Sequence, residues 1–318
     1  MNRTPIEWVR GPDGQRGYTW NPVTGCSKVS PGCANCYAER TAKRLAGRCG
    51  YQPSPHEFAV MFHQKRLREP LAVKKPSRIF VSSMGDLFHP QVKPAWINHI
   101  YDVMQAARHH TFIVCTKRAE RLVPALYDEE SRWYFGGGDY LPHVWHLTSC
   151  ENQEWFDKRV PHLLRFKAEG CGAWTVGVSL EPLLGPIDLS EYIDQLDWVI
   201  VGGESGPGAR PMHPDWVRSI RDQCQAAGVP FLFKQWGAWV PGQLRHDAPQ
   251  RHCYELASTG EPAVGSAAFS FDDPTQYLVG EVCAFRYGKK AAGRKLDGRT
   301  WDEFPGESKA KTNTRRTL

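Results

Sequence analysis

The sequence predicts an α/β protein of parallel βα units, closed into a barrel or laid out as a doubly wound sheet. Three observations predict it. Seven short runs rich in β-branched and aromatic residues recur at 17–20, 78–82, 111–115, 144–148, 174–179, 198–201 and 230–233. Stretches with apolar residues at helical spacing lie among them, at 94–108, 120–127, 151–165 and 214–227. The runs end in polar or glycine-rich turns, the punctuation expected where a strand hands over to a helix.

The elements differ in how clearly they are marked. His213-Pro214-Asp215 and Gly228 bracket the last helix as start and stop signals. Gly136-Gly137-Gly138 reads as a loop, and no internal repeat is present. From 241 to about 285 the periodicity fades and turn residues dominate, which reads as a cap over one face. No linker divides the chain. The expectation is one barrel domain over 1–285, including that cap, followed by a basic C-terminal extension over 286–318.

Composition narrows the class. The 318 residues are 41% hydrophobic and 23% charged, a globular balance that excludes a disordered or fibrous chain. No run approaches the ~18 consecutive apolar residues of a membrane helix, and the first eight residues lack the apolar segment of a signal peptide. A cytoplasmic protein with no membrane partner is therefore expected. In that reducing setting its ten cysteines point to metal binding sooner than to disulfides. Ten Lys/Arg and four Asp/Glu lie from Arg286 onward, so the whole net charge of +6 sits there. Such a segment is either a solvated end or a source of sequence-independent attraction to phosphates.

The cysteine pattern carries the sharpest chemistry. Cys26, Cys33 and Cys36 follow the first strand at C-x6-C-x2-C, in a loop broken by Gly25, Pro31 and Gly32 that can fold its thiolates together. Three cysteines suit a [4Fe–4S] cluster with one iron left open. A structural zinc site would want a fourth ligand, and Cys49 could supply it. The other strand ends are equally polar. They carry Ser82, Ser83 and Asp86; Lys117 and Arg118; Ser149, Cys150 and Glu151; Glu181; Gly202, Gly203 and Glu204; and Lys234, Gln235 and Trp236. Open α/β sheets and barrels place their sites at these ends.

These residues resemble a family. The triad with Tyr37-Ala38-Glu39 behind it, the segment from Phe80 to Phe88, Thr116-Lys117-Arg118, the segment from Ser179 to Leu189, Asp197 to Pro211, Phe231 to Gly237 and Gly293 to Pro305 are similar to phage-type radical S-adenosylmethionine proteins, filed as a domain of unknown function. More distantly they resemble the spore photoproduct lyase group. The resemblance implies a partial TIM barrel with a C-terminal extension. It implies that Cys26, Cys33 and Cys36 ligate a [4Fe–4S] cluster whose fourth iron takes S-adenosyl-L-methionine. One electron, from an external donor such as flavodoxin or ferredoxin, then yields a 5′-deoxyadenosyl radical that abstracts hydrogen from the substrate. The first cysteine gap is three residues longer than in the commonest pattern of such enzymes, C-x3-C-x2-C.

Roles follow by position. Asp86, with Ser82 or Ser83 beside it, is expected to accept from the methionyl ammonium, and Lys117 and Arg118 to meet the cofactor carboxylate or a substrate phosphate. Tyr37 is assigned to the cofactor, Ser149 and Glu151 to its ribose, and Gly202, Gly203 and Glu204 to a phosphate or adenine loop. Glu181, Lys234 and a thiol, Cys150 or Cys115, are the catalytic candidates, the thiol to return a hydrogen atom. Arg210, Gln235 and Trp236 are the substrate candidates, Trp236 as a stacking face. The resemblance points to a nucleotide or DNA substrate, preferentially a modified pyrimidine in phage DNA that is rearranged, in the bacterial host cytoplasm. The rival expectations are a DNA-lesion lyase and a zinc-stabilised nucleic-acid-binding protein with no catalysis.

Overall fold

The structure, a computed structural model, describes residues 1–127, 141–170, 174–242, 253–256 and 282–307. Its centre is an eight-stranded sheet. In chain order the strands are β1 (Asn2–Arg3), β2 (Tyr18–Trp20), β3 (Val23–Thr24), β4 (Met61–Phe62), β5 (Arg78–Val81), β6 (Thr111–Thr116), β7 (Val144–Ser149), β8 (Thr175–Leu180), β9 (Trp198–Gly202) and β10 (Phe231–Gln235). The sheet runs β1-β2-β5-β6-β7-β8-β9-β10. Every pairing from β2 to β10 is parallel, and only β1 is antiparallel. β3 and β4 form a separate pair. Sequential parallel strands with β1 and β10 as edges make a partial barrel, as the sequence predicts.

The helices are α1 (Tyr37–Arg44), α2 (Pro94–Ala106), α3 (Leu122–Leu126), α4 (Gln153–Glu169) and α5 (Pro214–Ala227). The Asn152 side chain caps α4 by accepting from the Trp155 amide at 3.2 Å, so the helix expected from 151 begins two residues later. His213 caps α5 in the same way, and Gly228 closes it in the left-handed region at φ +72°. The segment at 120–127 is a 3-10 turn (Ala119–Arg121) leading into the short α3. Neither β1 nor α1 is marked by the sequence pattern, being a two-residue strand and an eight-residue helix.

Alternation along the strands sorts the core into two layers. Residues such as Phe112, Val114, Val176, Val178, Val199 and Val201 face the helices in the main cluster. Their neighbours Ile113, Trp145, Leu147, Trp198, Ile200 and Leu232 fill the base of the barrel. Trp8 and Phe304, from the two ends of the chain, plug that base. Phe304 packs on Trp198 with ring centroids 5.3 Å apart, and the Arg78 guanidinium lies 3.8 Å above it. Arg78 also pairs with Glu307.

Of the expected C-terminal extension, the described part to Glu307 packs on the barrel and is not a solvated end. Helix α6 (Lys289–Ala292) leads into buried Leu296, Trp301 and Phe304. The Phe233 amide donates to Trp301 O and the Glu303 amide to Phe231 O, covering the exposed edge of β10. Residues 308–318 lie outside the described part. Of the expected cap, β11 (Trp239–Gly242), β12 (Cys253–Leu256) and β13 (Val282–Arg286) form a small antiparallel sheet, while 243–252 and 257–281 lie outside the described residues, as does the Gly136-Gly137-Gly138 loop. No described helix is long and apolar enough to cross a membrane.

Phe304→Ala should lower stability by about 3–5 kcal/mol, because it opens a cavity in the plug and removes the face under Arg78. Leu71→Ala, at a position 41% exposed, should change it by less than about 0.5 kcal/mol. Urea unfolding of the two variants checks the contrast; equal effects would show that the plug contributes nothing.

Candidate active site

The site lies at the C-terminal ends of the parallel strands and comprises two adjoining cavities. The smaller, about 320 Å³, is walled by Cys26, Cys33 and Cys36. The larger, about 900 Å³, continues toward the N-terminal segment. Tyr37, Phe80, Ser83, Cys115, Glu181 and Lys234 are among the residues that line both.

The cysteine loop follows from its own sequence up to a point. Gly25 bridges to Gly85 beside β2, at φ +88°, and a Cβ there would stand 2.0 Å from the Ala59 carbonyl oxygen. Pro31–Cys33 forms one 3-10 turn. Cys36 caps α1, its sulfur accepting from the Glu39 amide at 3.5 Å. The rest of the loop is held by three ion pairs.

The first pair is Asp86–Arg118, at 2.9 Å, with both side chains buried. Arg118 extends from it to Cys26 Sγ at 3.2 Å and to Ser27 O and Oγ at 3.0 Å. Asp86 Oδ1 accepts from Thr116 Oγ1 and the Phe88 amide, and Oδ2 from the Lys117 amide and Arg118. These bonds fill the roughly four acceptor positions of a carboxylate. Asp86, expected to receive the cofactor ammonium, does line the smaller cavity, but there its acceptor positions are taken by these bonds, which place Arg118. Burial pushes the Cys26 thiol up to about 11, with Asp86 adding to the rise and Arg118 opposing it.

The second pair is Glu151–Arg159. Arg159 donates to Glu151 Oε2 at 3.0 Å and to Ser149 O at 2.7 Å, while Glu151 Oε1 receives the Gly32 amide at 3.1 Å. Glu151 is fully buried and lines neither cavity, so the ribose role is corrected to one of holding the loop. A Cβ at Gly32 would press on that carboxylate at 3.1–3.3 Å.

The third pair is Glu204–Arg210, at 2.7 Å. Glu204 also accepts from Asn35 Nδ2 at 3.1 Å, and Arg210 donates to Pro31 O at 3.1 Å. Burial works against the charged form of Glu204, but the bonds from Arg210 and Asn35 outweigh it and lower its pKa. Glu204 lines the smaller cavity and Arg210 does not. The substrate role expected of Arg210 becomes a structural one.

The remaining candidates divide by strand parity. Cys150 is fully buried: it belongs to the main hydrophobic cluster, lines neither cavity, and burial pushes its thiol far up. Its catalytic role is therefore corrected. One strand over, Cys115 points into the cavities, 3.3 Å from Ser149 Oγ. Trp236 packs on Phe233 and donates to Lys295 O at 2.9 Å, so its face is not offered to a substrate. Gly202 backs the Glu181 carboxylate, and Gly203 touches the Trp236 carbonyl.

Glu181, Lys234 and Gln235 do converge. Lys234 Nζ and Glu181 Oε2 are 2.5 Å apart. Burial disfavours the charged lysine, yet Glu181 reverses the effect and raises its pKa. Glu181 Oε1 and Gln235 Oε1 are buried with no hydrogen-bond partner among the described residues, as is Ser82 Oγ. Ser82 also holds φ +56°, a sparsely populated conformation for a residue with a side chain. Ser83 donates to Asn21 Oδ1 at 3.1 Å, and Lys117 lines the smaller cavity.

Among the described residues no three His, Cys, Asp or Glu side chains gather closely enough for a single metal ion. The three thiols are spread round one cavity, while Cys49 lines the other. Three thiols on the wall of one cavity are the donor set that a group with three protein ligands would use.

Residues 3–305 match the family model described as Protein of unknown function (DUF5131). The chain belongs to this family. No curated protein matches it. Among solved structures, a cysteine-to-serine mutant of spore photoproduct lyase is similar, with a TM-score of 0.39 and 13% identity over 64% of this chain and 59% of that one. A double mutant of the lyase, with bound AdoMet and dinucleoside spore photoproduct, gives a TM-score of 0.34 and 13% identity over 70% and 64%. The chain thus spans about three-fifths of the length of the structures it matches.

Sequence reasoning missed Arg159, Asn35 and the N-terminal residues 1–6 that line the larger cavity. Arg159 was findable: it falls between Phe156, Val160 and Leu163 on the apolar face of α4, where a cation needs a buried partner.

Glu151→Ala should cost about 3–5 kcal/mol, because it strands Arg159 at 2% exposure. Glu151→Leu combined with Arg159→Met should recover much of that loss while leaving Gly32 untethered. Urea unfolding of both variants tests it; a double variant no more stable than the single one would show that the stranded charge is not the cause.

Proposed function

We propose that the protein is a radical S-adenosylmethionine enzyme. The observation that carries this reading is that Cys26, Cys33 and Cys36 wall one cavity without Cys49, next to a second cavity large enough for a substrate. In this reading the three thiolates hold a [4Fe–4S] cluster, and S-adenosyl-L-methionine lies in the smaller cavity. When bound, the pair supplies one-electron cleavage of the sulfonium and removal of a hydrogen atom from an unactivated carbon.

The chain's own residues bind and position. Ser82 Oγ, buried and unpartnered, takes over from Asp86 as acceptor for the methionyl ammonium, with Ser83 beside it, and Lys117 meets the carboxylate. Ser149 is left as the ribose contact, and Tyr37 flanks the cofactor at the junction of the cavities. Glu181 and Lys234 form the polar floor against which the substrate is oriented, with Gln235 beside them. Cys115 replaces Cys150 as the thiol placed to return a hydrogen atom; burial raises its pKa and keeps it protonated, the form such a step requires.

The substrate in this reading is a nucleotide, a modified pyrimidine of phage DNA, undergoing rearrangement inside the bacterial host cytoplasm. The electron comes from an external flavodoxin or ferredoxin. Residues 1–285 act as the catalytic barrel and residues 286–307 as its closing strap.

Anaerobically reduced protein should convert S-adenosylmethionine to 5′-deoxyadenosine and methionine, read by mass spectrometry. Cys26→Ala, Cys33→Ala and Cys36→Ala should each lose iron, sulfide and this activity, while Cys49→Ala keeps all three. Bound zinc that disappears in Cys49→Ala would support the zinc alternative and overturn the proposal.

A further inference from the structure

Some cations on this protein are paired within the chain. On the outer helices Lys158 meets Glu154, Arg165 meets Glu169, and Arg218 meets Asp215 and Asp297. Around the mouth of the larger cavity stand four cations that have no such pair among the described residues. Arg3 and Lys289 line that mouth, and both are exposed. Arg44 and Arg48 stand on the exposed flank of α1 and the turn after it, Arg44 bonded to Thr41 Oγ1 at 3.2 Å and Arg48 to Arg44 O at 2.5 Å. Thr41, Leu45 and Cys49 of the same stretch line the cavity. Among the described residues, none of these four cations has a carboxylate partner.

Two further features share the mouth. Tyr37 is 64% exposed and lies where the two cavities join. At the floor, Glu181 Oε1 and Gln235 Oε1 are buried acceptors with no donor among the described residues. A ligand that answers all of these carries negative charge outside, a flat ring at the entrance and hydrogen-bond donors inside. Four cations contributed by the N-terminal strand, α1, the turn after it and α6 suit several phosphates in a row better than one.

We propose that this mouth binds a nucleic-acid strand: Arg3, Arg44, Arg48 and Lys289 contact successive phosphates, Tyr37 stacks on a base, and one nucleotide turns into the cavity against Glu181 and Gln235. The proposal rests on the nucleotide reading given above and adds the polymer and the residues that hold it. The interaction with phosphates is electrostatic and releases counterions, so it is steeply salt-dependent. A base turned inward exposes donor groups, such as an imide or amino N–H, that the two orphan oxygens can accept.

The test uses full-length, anaerobically purified protein and fluorescence anisotropy with a short labelled DNA single strand. The duplex, the same sequence as RNA, a mononucleotide and polyglutamate serve as competitors. Each of Arg3→Ala, Arg44→Ala, Arg48→Ala and Lys289→Ala should lower the slope of log affinity against log salt by about 0.7. Tyr37→Leu should weaken binding about tenfold with the slope unchanged. Arg165→Ala, on the outer layer, should change neither, and melting temperatures confirm that each variant is folded. The DNA and RNA arms tell which polymer is preferred. Unchanged slopes, a mononucleotide that competes as well as the strand, or polyglutamate that competes equally would each overturn the proposal, the last in favour of an acidic protein partner. 5′-Deoxyadenosine formation without nucleic acid is measured on the same preparations. Its absence beside intact strand binding strikes the radical reading alone, and its presence beside absent binding strikes the mouth alone.

Discussion

Between Gly25 and Tyr37 the chain has one 3-10 turn and little other regular structure, so the positions of three cysteines have to be imposed from outside. Three ion pairs impose them, each anchored at a different strand end. Asp86–Arg118 reaches Cys26 and Ser27, Glu151–Arg159 reaches Gly32, and Glu204–Arg210 reaches Asn35 and Pro31. Burying such charges is costly, and replacing a buried pair with apolar residues is often neutral or stabilising. Their value here is positional. Each pair holds further hydrogen bonds to the loop, and such directional bonds define one arrangement where an apolar contact would allow several.

The same strand ends build the second cavity, and strand alternation decides which side chain enters it. Odd positions along β6, β7 and β8 place Cys115, Ser149 and Ser179 inward, above the plug formed by Ile113, Trp145 and Leu147. Even positions place Phe112, Val114 and Val178 against the helices. On β10 the register shifts between Phe233 and Gln235, and both Lys234 and Gln235 come to line the cavities. A two-residue period thus separates reactive groups from packing groups of the same chemical type.

The barrel was legible because its signal is redundant: seven apolar runs, polar stops and helical spacing all repeat one unit. The cysteine triad was legible because its spacing is local. The partner of each carboxylate was not, since Asp86 and Arg118, or Glu151 and Gly32, are brought together by topology and not by spacing. That is why Asp86, Glu151 and Arg210 were read as ligand contacts when they are braces. Cys150 is a different case. Its parity relative to Ser149 was available in the sequence and assigns it to the core, leaving Cys115 as the strand cysteine that lines the cavities. Trp236 was misplaced for want of the strap, because Lys295 holds its indole only once residues 287–307 have packed on the barrel.

The account stands or falls on a cluster with one iron open to S-adenosylmethionine. Electron paramagnetic resonance of the anaerobically reduced protein, recorded before and after S-adenosylmethionine is added, tests this most directly. The account predicts the signal of a reduced [4Fe–4S] cluster whose g values and line shape change when the cofactor binds. A signal indifferent to the cofactor, or a protein that holds zinc and gives no signal, would contradict it.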